Sequence, residues 1–266
     1  MIRALKETNW RVFTLLLVGG LVGVLAILPM MAEVVGTIAP DPEPGSAMPF
    51  PLIVALALIQ NGLLLSVAII LGMILSQRVG LTMPWITAWA TGTRPPGLKA
   101  TVLPAFLWGA AAGVVIVGVE MLFFLRDLPE SMRAFFEIPL WKRLLAGVVY
   151  GGITEELFMR LFLLSLVAWV LARRWRTADG SPTNGVFWAA IFLVALLFGL
   201  GHLPATAYMA PLTPMLVVRA LALNAFPGVA FGYLFWRHGL EASMLGHMSA
   251  HLVMQGPGVM LLRTML

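Results

Sequence analysis

Apolar residues along the chain fall into seven runs, at 12–32, 51–76, 101–125, 143–172, 185–203, 212–236 and 240–263. A helix needs ~20 such residues to cross the hydrocarbon of a bilayer. The pattern therefore predicts an all-α fold, a polytopic membrane helix bundle of about seven transmembrane helices, as a single membrane-embedded domain over residues 1–266. The fourth run is long enough to begin with an interfacial turn, and Pro227-Gly228 predicts a kink in the sixth. The chain shows no internal repeat and no low-complexity tract.

Polar residues between the runs set the orientation. With the N-terminus in the cytoplasm, one side collects ten bases: Arg3, Lys6, Arg11, Arg78, Arg94, Lys99, Arg173, Arg174, Arg176 and Arg237. The other side collects five: Arg126, Arg133, Lys142, Arg143 and Arg263. Positive charge accumulates inside, so the expectation is N-inside and C-outside, in the plasma (inner) membrane. Segment 39–49, with Asp41, Glu43 and four prolines, suits an external, non-helical connection. Two other connections read as interfacial. Segment 81–100 carries Trp85 and Trp89, and 126–143 mixes charges with Phe135, Phe136 and Trp141, the composition of an amphipathic helix lying on the membrane surface. Aromatic anchoring is the simpler reading of both, and a substrate gate is the other.

Composition sharpens this picture. The chain is 60% hydrophobic and 11% charged, with mean hydropathy +0.94, where soluble domains carry about 25% charged residues. The net charge of +5 belongs to the loops, and no basic tract with interleaved aromatics points to nucleic acid. With no cysteine, thiol nucleophiles, thiolate metal sites and lipidation on Cys are excluded. The first run exceeds the 7–15 residues of a signal-peptide core and is expected to stay as a span.

Ionisable side chains in hydrocarbon cost roughly 2.5 kcal/mol or more each and persist where they pair or work. Glu120, near the end of the third run, is expected to snorkel. Gln60, Asn61 and Asn224 are expected to hydrogen-bond between helices. Arg219 either snorkels or neutralises a buried acid, and His238 should be solvated.

Three stretches stand apart: Glu155-Glu156-x-x-x-Arg160, Phe198-x-x-x-His202 and His247-x-x-x-His251. Two adjacent carboxylates in mid-span cannot both snorkel, and on a helix they point about 100° apart, which predicts different roles. Glu156 and Arg160 stand at i, i+4 with the acid first, the favourable order for an ion pair. Glu155 is left without a local cation, as a general base would be. Gly199 and Gly201 let a neighbour approach His202. His247 and His251, beside Gly246 and Ala250, form one polar stripe that is also a metal half-site by spacing. As drawn, His202 falls near the outer end of its span and His247 near the inner end, so tilted spans are needed for them to meet.

In these ordered motifs the sequence resembles the CPBP intramembrane proteases, relatives of the type II CAAX prenyl proteases (the Rce1-like, or Abi, family), whose pattern is EExxxR, FxxxH and HxxxN. The resemblance covers about residues 140–260 as a catalytic core, with 1–139 as additional N-terminal spans. It implies an intramembrane endopeptidase in which Glu155 and His202 activate a water while His247 and His251 stabilise the oxyanion. Glu156, Arg160 and Phe198 support them. The implied substrate is a membrane-anchored or lipid-modified, CAAX-like peptide met in the lipid bilayer. Where that branch often has Asn, this chain has His251. No cofactor is required on this reading, although Glu155, His202, His247 and His251 could form a tetrahedral zinc shell, as bacterial members labelled metalloproteases would imply. The other readings are a non-catalytic bacteriocin-immunity or partner-binding protein, and a proton-coupled transporter.

Overall fold

The computed structural model describes residues 9–38, 48–95 and 97–266, and these are helical almost throughout. The acidic, proline-rich connection and the bases Arg3 and Lys6 lie outside the described residues, apart from Met48 and Pro49. The helices are α1 (Trp10–Ile38), α2 (Phe50–Val79), the short α3 (Pro84–Thr91) and α4 (Leu98–Val119). The run 140–171 forms α5, followed by α6 (Asn184–Gly201), the short α7 (Leu203–Met209), α8 (Pro214–His238) and α9, the run 240–263. Among the described residues, five stretches are long and apolar enough to cross a membrane: Trp10–Gly36, Phe50–Val79, Lys99–Asp127, Asn184–Met209 and Pro214–His238. α5 and α9 are helical across the fourth and seventh apolar runs, but π-wound stretches interrupt both. The chain is an all-α, multi-pass membrane bundle.

Helix starts follow local chemistry. Pro84 and Pro214 occupy first-turn positions, where a missing N–H leaves no bond unmade. Thr183 and Thr213 cap α6 and α8 by accepting from Val186 N and Leu216 N at 3.4 and 3.3 Å. Between α8 and α9 the chain turns at Gly239, whose φ of 93° suits glycine and where a Cβ would stand 2.5 Å from the Pro84 ring. The Glu241 carboxylate then accepts from Ile86 N at 2.7 Å, fastening α3 against the start of α9.

Side chains such as Leu63, Val67, Val114, Leu122 and Phe192 point outward and stay exposed. In a bilayer that is their solvent, so close packing must hold the helices together. It does so where side chains vanish. A Cβ on Gly109 of α4 would lie 2.0 Å from the Gly246 carbonyl oxygen of α9, and one on Gly113 would lie 2.8 Å from that of Ala250. α1 meets α5 in the same way, with the Thr154 hydroxyl donating to Gly20 O at 2.8 Å.

Several expectations are corrected. Asn61 and Asn224 bond carbonyls of their own helices, Ala57 O at 2.9 Å and Ala220 O at 2.8 Å. Each amide finds an acceptor one turn back more readily than across a helix gap. Gln60 is exposed. Glu120 does not snorkel: it is 3% exposed and accepts two bonds from Arg219 Nε, at 2.9 and 3.1 Å. That decides between the two readings of Arg219. His238 is the half-buried last residue of α8 rather than a loop residue. The segment expected as one amphipathic surface helix is a chain of single turns, Leu125–Asp127, Glu130–Arg133 and Ala134–Glu137. Pro129 and Pro139 break any longer run. Met132 and Phe136 turn inward from these turns and are buried. Trp89 is exposed at 66%, as an anchor would be.

Candidate active site

The centre is built outward from Glu156, which is fully buried in α5 between the π-wound stretches Leu145–Glu155 and Leu157–Leu164. Such winding recurs at functional sites because it re-aims side chains within a helix. Arg160 Nη1 lies 2.9 Å from Glu156 Oε1, the i, i+4 ion pair that the spacing predicts. His247 Nδ1 reaches the same oxygen at 2.8 Å. The Ser243 hydroxyl donates to Oε2 and also lies 2.8 Å from Phe231 O, so one proton is shared between two acceptors. The Arg160 guanidinium sits over the faces of Phe198 and Phe231, 5.0 and 5.4 Å from the ring centroids, and donates to Gly228 O at 3.3 Å. A buried charge is tolerable only with partners of this kind.

Because Nδ1 of His247 is committed to Glu156, its Nε2 turns to the other carboxylate and stands 3.8 Å from Glu155 Oε2. The Glu155 side chain keeps 20% exposure and borders a cavity of about 610 Å³, which His202, His247 and His251 also line. The His247 ring is stacked between Phe231 (4.5 Å, 21°) and His251 (5.0 Å, 18°). His251 has room only because position 147 is glycine: a Cβ there would stand 2.3 Å from His251 Nδ1. A Cβ on Gly151 would touch Nε2 of both histidines at 3.2 Å. His251 Nδ1 is buried without a hydrogen-bond partner among the described residues.

His202 ends α6, and its Nδ1 lies 2.8 Å from Phe198 O. A carbonyl can only accept, so Nδ1 carries the proton and Nε2 of the neutral ring carries the lone pair. Phe198 spans the depth that seemed to separate the histidines, with its ring 4.7 Å from His202 and 6.1 Å from His247.

All four residues named for the chemistry thus border one cavity, as does Phe198, while Glu156 and Arg160 are buried behind this lining. Among the described residues, no group of three or more His, Asp or Glu lies close enough to hold a metal ion.

Sequence reasoning overlooked two contributors and left a third unplaced. Ser243 extends the histidine stripe by one turn, as Ser243-x-x-x-His247-x-x-x-His251, a spacing that could have exposed it. Gly147-x-x-x-Gly151 is the facing pair of gaps. Arg219 with Glu120 forms the cavity's far wall, joined by the buried Phe136 from the segment of single turns.

Residues 137–253 match the family model described as Type II CAAX prenyl endopeptidase Rce1-like, in agreement with the resemblance of the three motifs. No curated protein and no solved structure gives a significant match.

Proposed function

We propose that this protein, whose residues 137–253 belong to the Rce1-like family of proteases, is an intramembrane endopeptidase that hydrolyses membrane-anchored or lipid-modified peptides. The observation that carries the reading is the split of the two glutamates: Glu156 is consumed by Arg160, His247 and Ser243, while Glu155 is left facing the cavity.

In the proposed reaction, Glu155 accepts a proton from water, and the water oxygen forms a bond to the substrate carbonyl carbon. His202, with Nδ1–H held by Phe198 O, offers the Nε2 lone pair as a second acceptor that orients the water. The carbonyl π electrons move onto oxygen. His247, held through Nδ1 by Glu156, presents Nε2 to the cavity, and in the imidazolium form that edge is an N–H donor for the oxyanion. His251 supplies a second donor, and such donors are typically worth ~3 kcal/mol of barrier each. Collapse of the intermediate breaks the C–N bond, and the proton on Glu155 passes to the departing amine. No step calls for a metal. The proposed setting is the plasma membrane with a cytoplasmic N-terminus.

The test is cleavage of a panel of fluorogenic lipidated and unlipidated peptides by purified wild type and Glu155→Gln, with and without a zinc chelator. The reading expects cleavage that is lost in the variant and kept with chelator. Full activity in the variant would sink the glutamate mechanism, and loss with chelator would restore the zinc shell.

A further inference from the structure

A second cavity, of about 340 Å³, opens at the end of the bundle where α2 and α8 finish and α6 begins, and it shares no lining residue with the first. Arg78 and Asp179 both line it, yet no ion pair forms between them. Each is held by other partners. The Arg78 guanidinium lies over the Trp169 indole at 5.8 Å, and Arg173 lies over the same ring at 3.8 Å. Two like charges are thus gathered on one ring, and neither pairs with a carboxylate among the described residues. The Asp179 carboxylate accepts from the Thr177 hydroxyl and, at 3.0 Å, from that of Ser181. Those bonds hold its pKa below the usual carboxylate range, so the group stays charged. Arg176 turns Nη1 to the Gly180 carbonyl instead of to the acid. A small cavity that keeps a cation and an anion apart is complementary to a molecule carrying both charges in the opposite order.

The surroundings name the kind of molecule. Arg174 and Arg237 are exposed at this end of the bundle, and Trp175 is 57% exposed, as at a belt of lipid headgroups. We propose that the cavity binds the headgroup of a phospholipid bearing a primary ammonium, phosphatidylethanolamine, with its phosphate on Arg78 and its ammonium on Asp179. A quaternary ammonium needs open ring faces. Here they are taken, because Trp236 stacks on Phe187 at 5.0 Å and carries Arg237 at 5.3 Å. An anionic headgroup without an amine would set its charge against Asp179. The site does not depend on the endopeptidase reading. It would steady α8, whose Phe231 and Gly228 hold Arg160 behind the active site.

The experiment uses the delipidated full chain in detergent with dioleoyl phospholipids added singly. These are phosphatidylethanolamine, its mono- and dimethyl forms, phosphatidylcholine and phosphatidylglycerol. Bound lipid is counted by native mass spectrometry, and the melting temperature is followed against lipid concentration. Phosphatidylethanolamine should bind at least ~10-fold tighter than phosphatidylcholine or phosphatidylglycerol, with affinity falling at each N-methylation. Asp179→Asn, whose amide oxygen still accepts from Thr177 and Ser181, should erase the preference without lowering the lipid-free melting temperature. Arg78→Gln should weaken every phospholipid, with Arg78→Lys restoring part.

Equal affinity along the methylation series, or an unchanged preference in Asp179→Asn, would overturn the site. Tightest binding of phosphatidylglycerol would reduce it to a basic surface and overturn it as well. Glycerophosphoethanolamine, the same headgroup without chains, should bind far more weakly; equal binding would make the ligand a soluble phosphate ester and not a lipid. A preference lost in Arg3→Gln with Lys6→Gln would assign Asp179 to the amino-terminal segment, against the proposal. If Asp179→Asn melts lower without lipid, Thr177→Val with Ser181→Ala decides, since it loosens the turn but keeps the charge. A retained preference there supports the ammonium contact, and a lost one makes the turn alone responsible and overturns it.

Discussion

His247 Nδ1 and Glu156 Oε1 stand 2.8 Å apart, and that bond decides which edge of the imidazole meets the cavity. It makes the second glutamate of the pair the holder of the histidine and leaves the first to face the cavity. The arrangement separates two jobs that adjacent carboxylates would otherwise confuse.

Removing Glu156 alone should therefore be worse for the fold than removing the whole cluster. Glu156→Ala leaves Arg160 buried and unpaired, which typically destabilises by about 3–5 kcal/mol. Glu156→Leu with Arg160→Met should recover most of the melting temperature in detergent but none of the activity, because His247 has lost its anchor. Recovery of cleavage in the double variant would show that the anchor is unnecessary.

Ser243→Ala removes a donor from a buried carboxylate without adding bulk. The expected effect is a loss of about 1–3 kcal/mol in transition-state stabilisation, read as a fall in kcat/KM with thermal stability changed less. Unchanged kinetics would place the hydroxyl wholly with Phe231 O.

Gly147→Ala puts a methyl group 2.3 Å from His251 Nδ1. Overpacking of this kind costs about 1–3 kcal/mol. The added methyl should displace the ring and depress kcat, and Gly147→Ala with His251→Ala should regain stability without regaining activity. The comparison rests on denaturation midpoints beside turnover, and additive stability losses would mean the two positions do not touch.

At the helix seam the clash is with backbone and cannot relax by rotamer change. Gly109→Val should prevent accumulation of folded protein, while Gly118→Ala, where a Cβ meets nothing within 4 Å, should behave as wild type. Monodisperse elution of Gly109→Val at wild-type yield would contradict the close approach of α4 and α9.

How much of this was legible in the sequence varied with the distance over which a residue acts. The Glu156–Arg160 pair lies within one helical turn, and spacing alone exposed it. The three motifs were legible because each polar residue interrupts an apolar run. The Glu120–Arg219 pair joins residues 99 positions apart, and nothing local to either announces the other. Asn61 and Asn224 misled for the opposite reason, since each amide is satisfied within its own turn. The π winding of α5 was illegible too, because positional rules assume 3.6 residues per turn. The turns between Pro129 and Pro139 show how two prolines outweigh an amphipathic composition.

Gly246 and Ala250, the backbone-contact residues of α9, immediately precede His247 and His251 in the chain. The helix thus rests on α4 through carbonyl oxygens and α-carbons, atoms with no rotamers to populate. Warming or a more fluid lipid mixture loosens side-chain interdigitation first, and this contact has almost none to lose. The depth at which the two imidazoles enter the cavity is accordingly set by backbone resting on backbone, like a bearing seated on metal rather than on rubber.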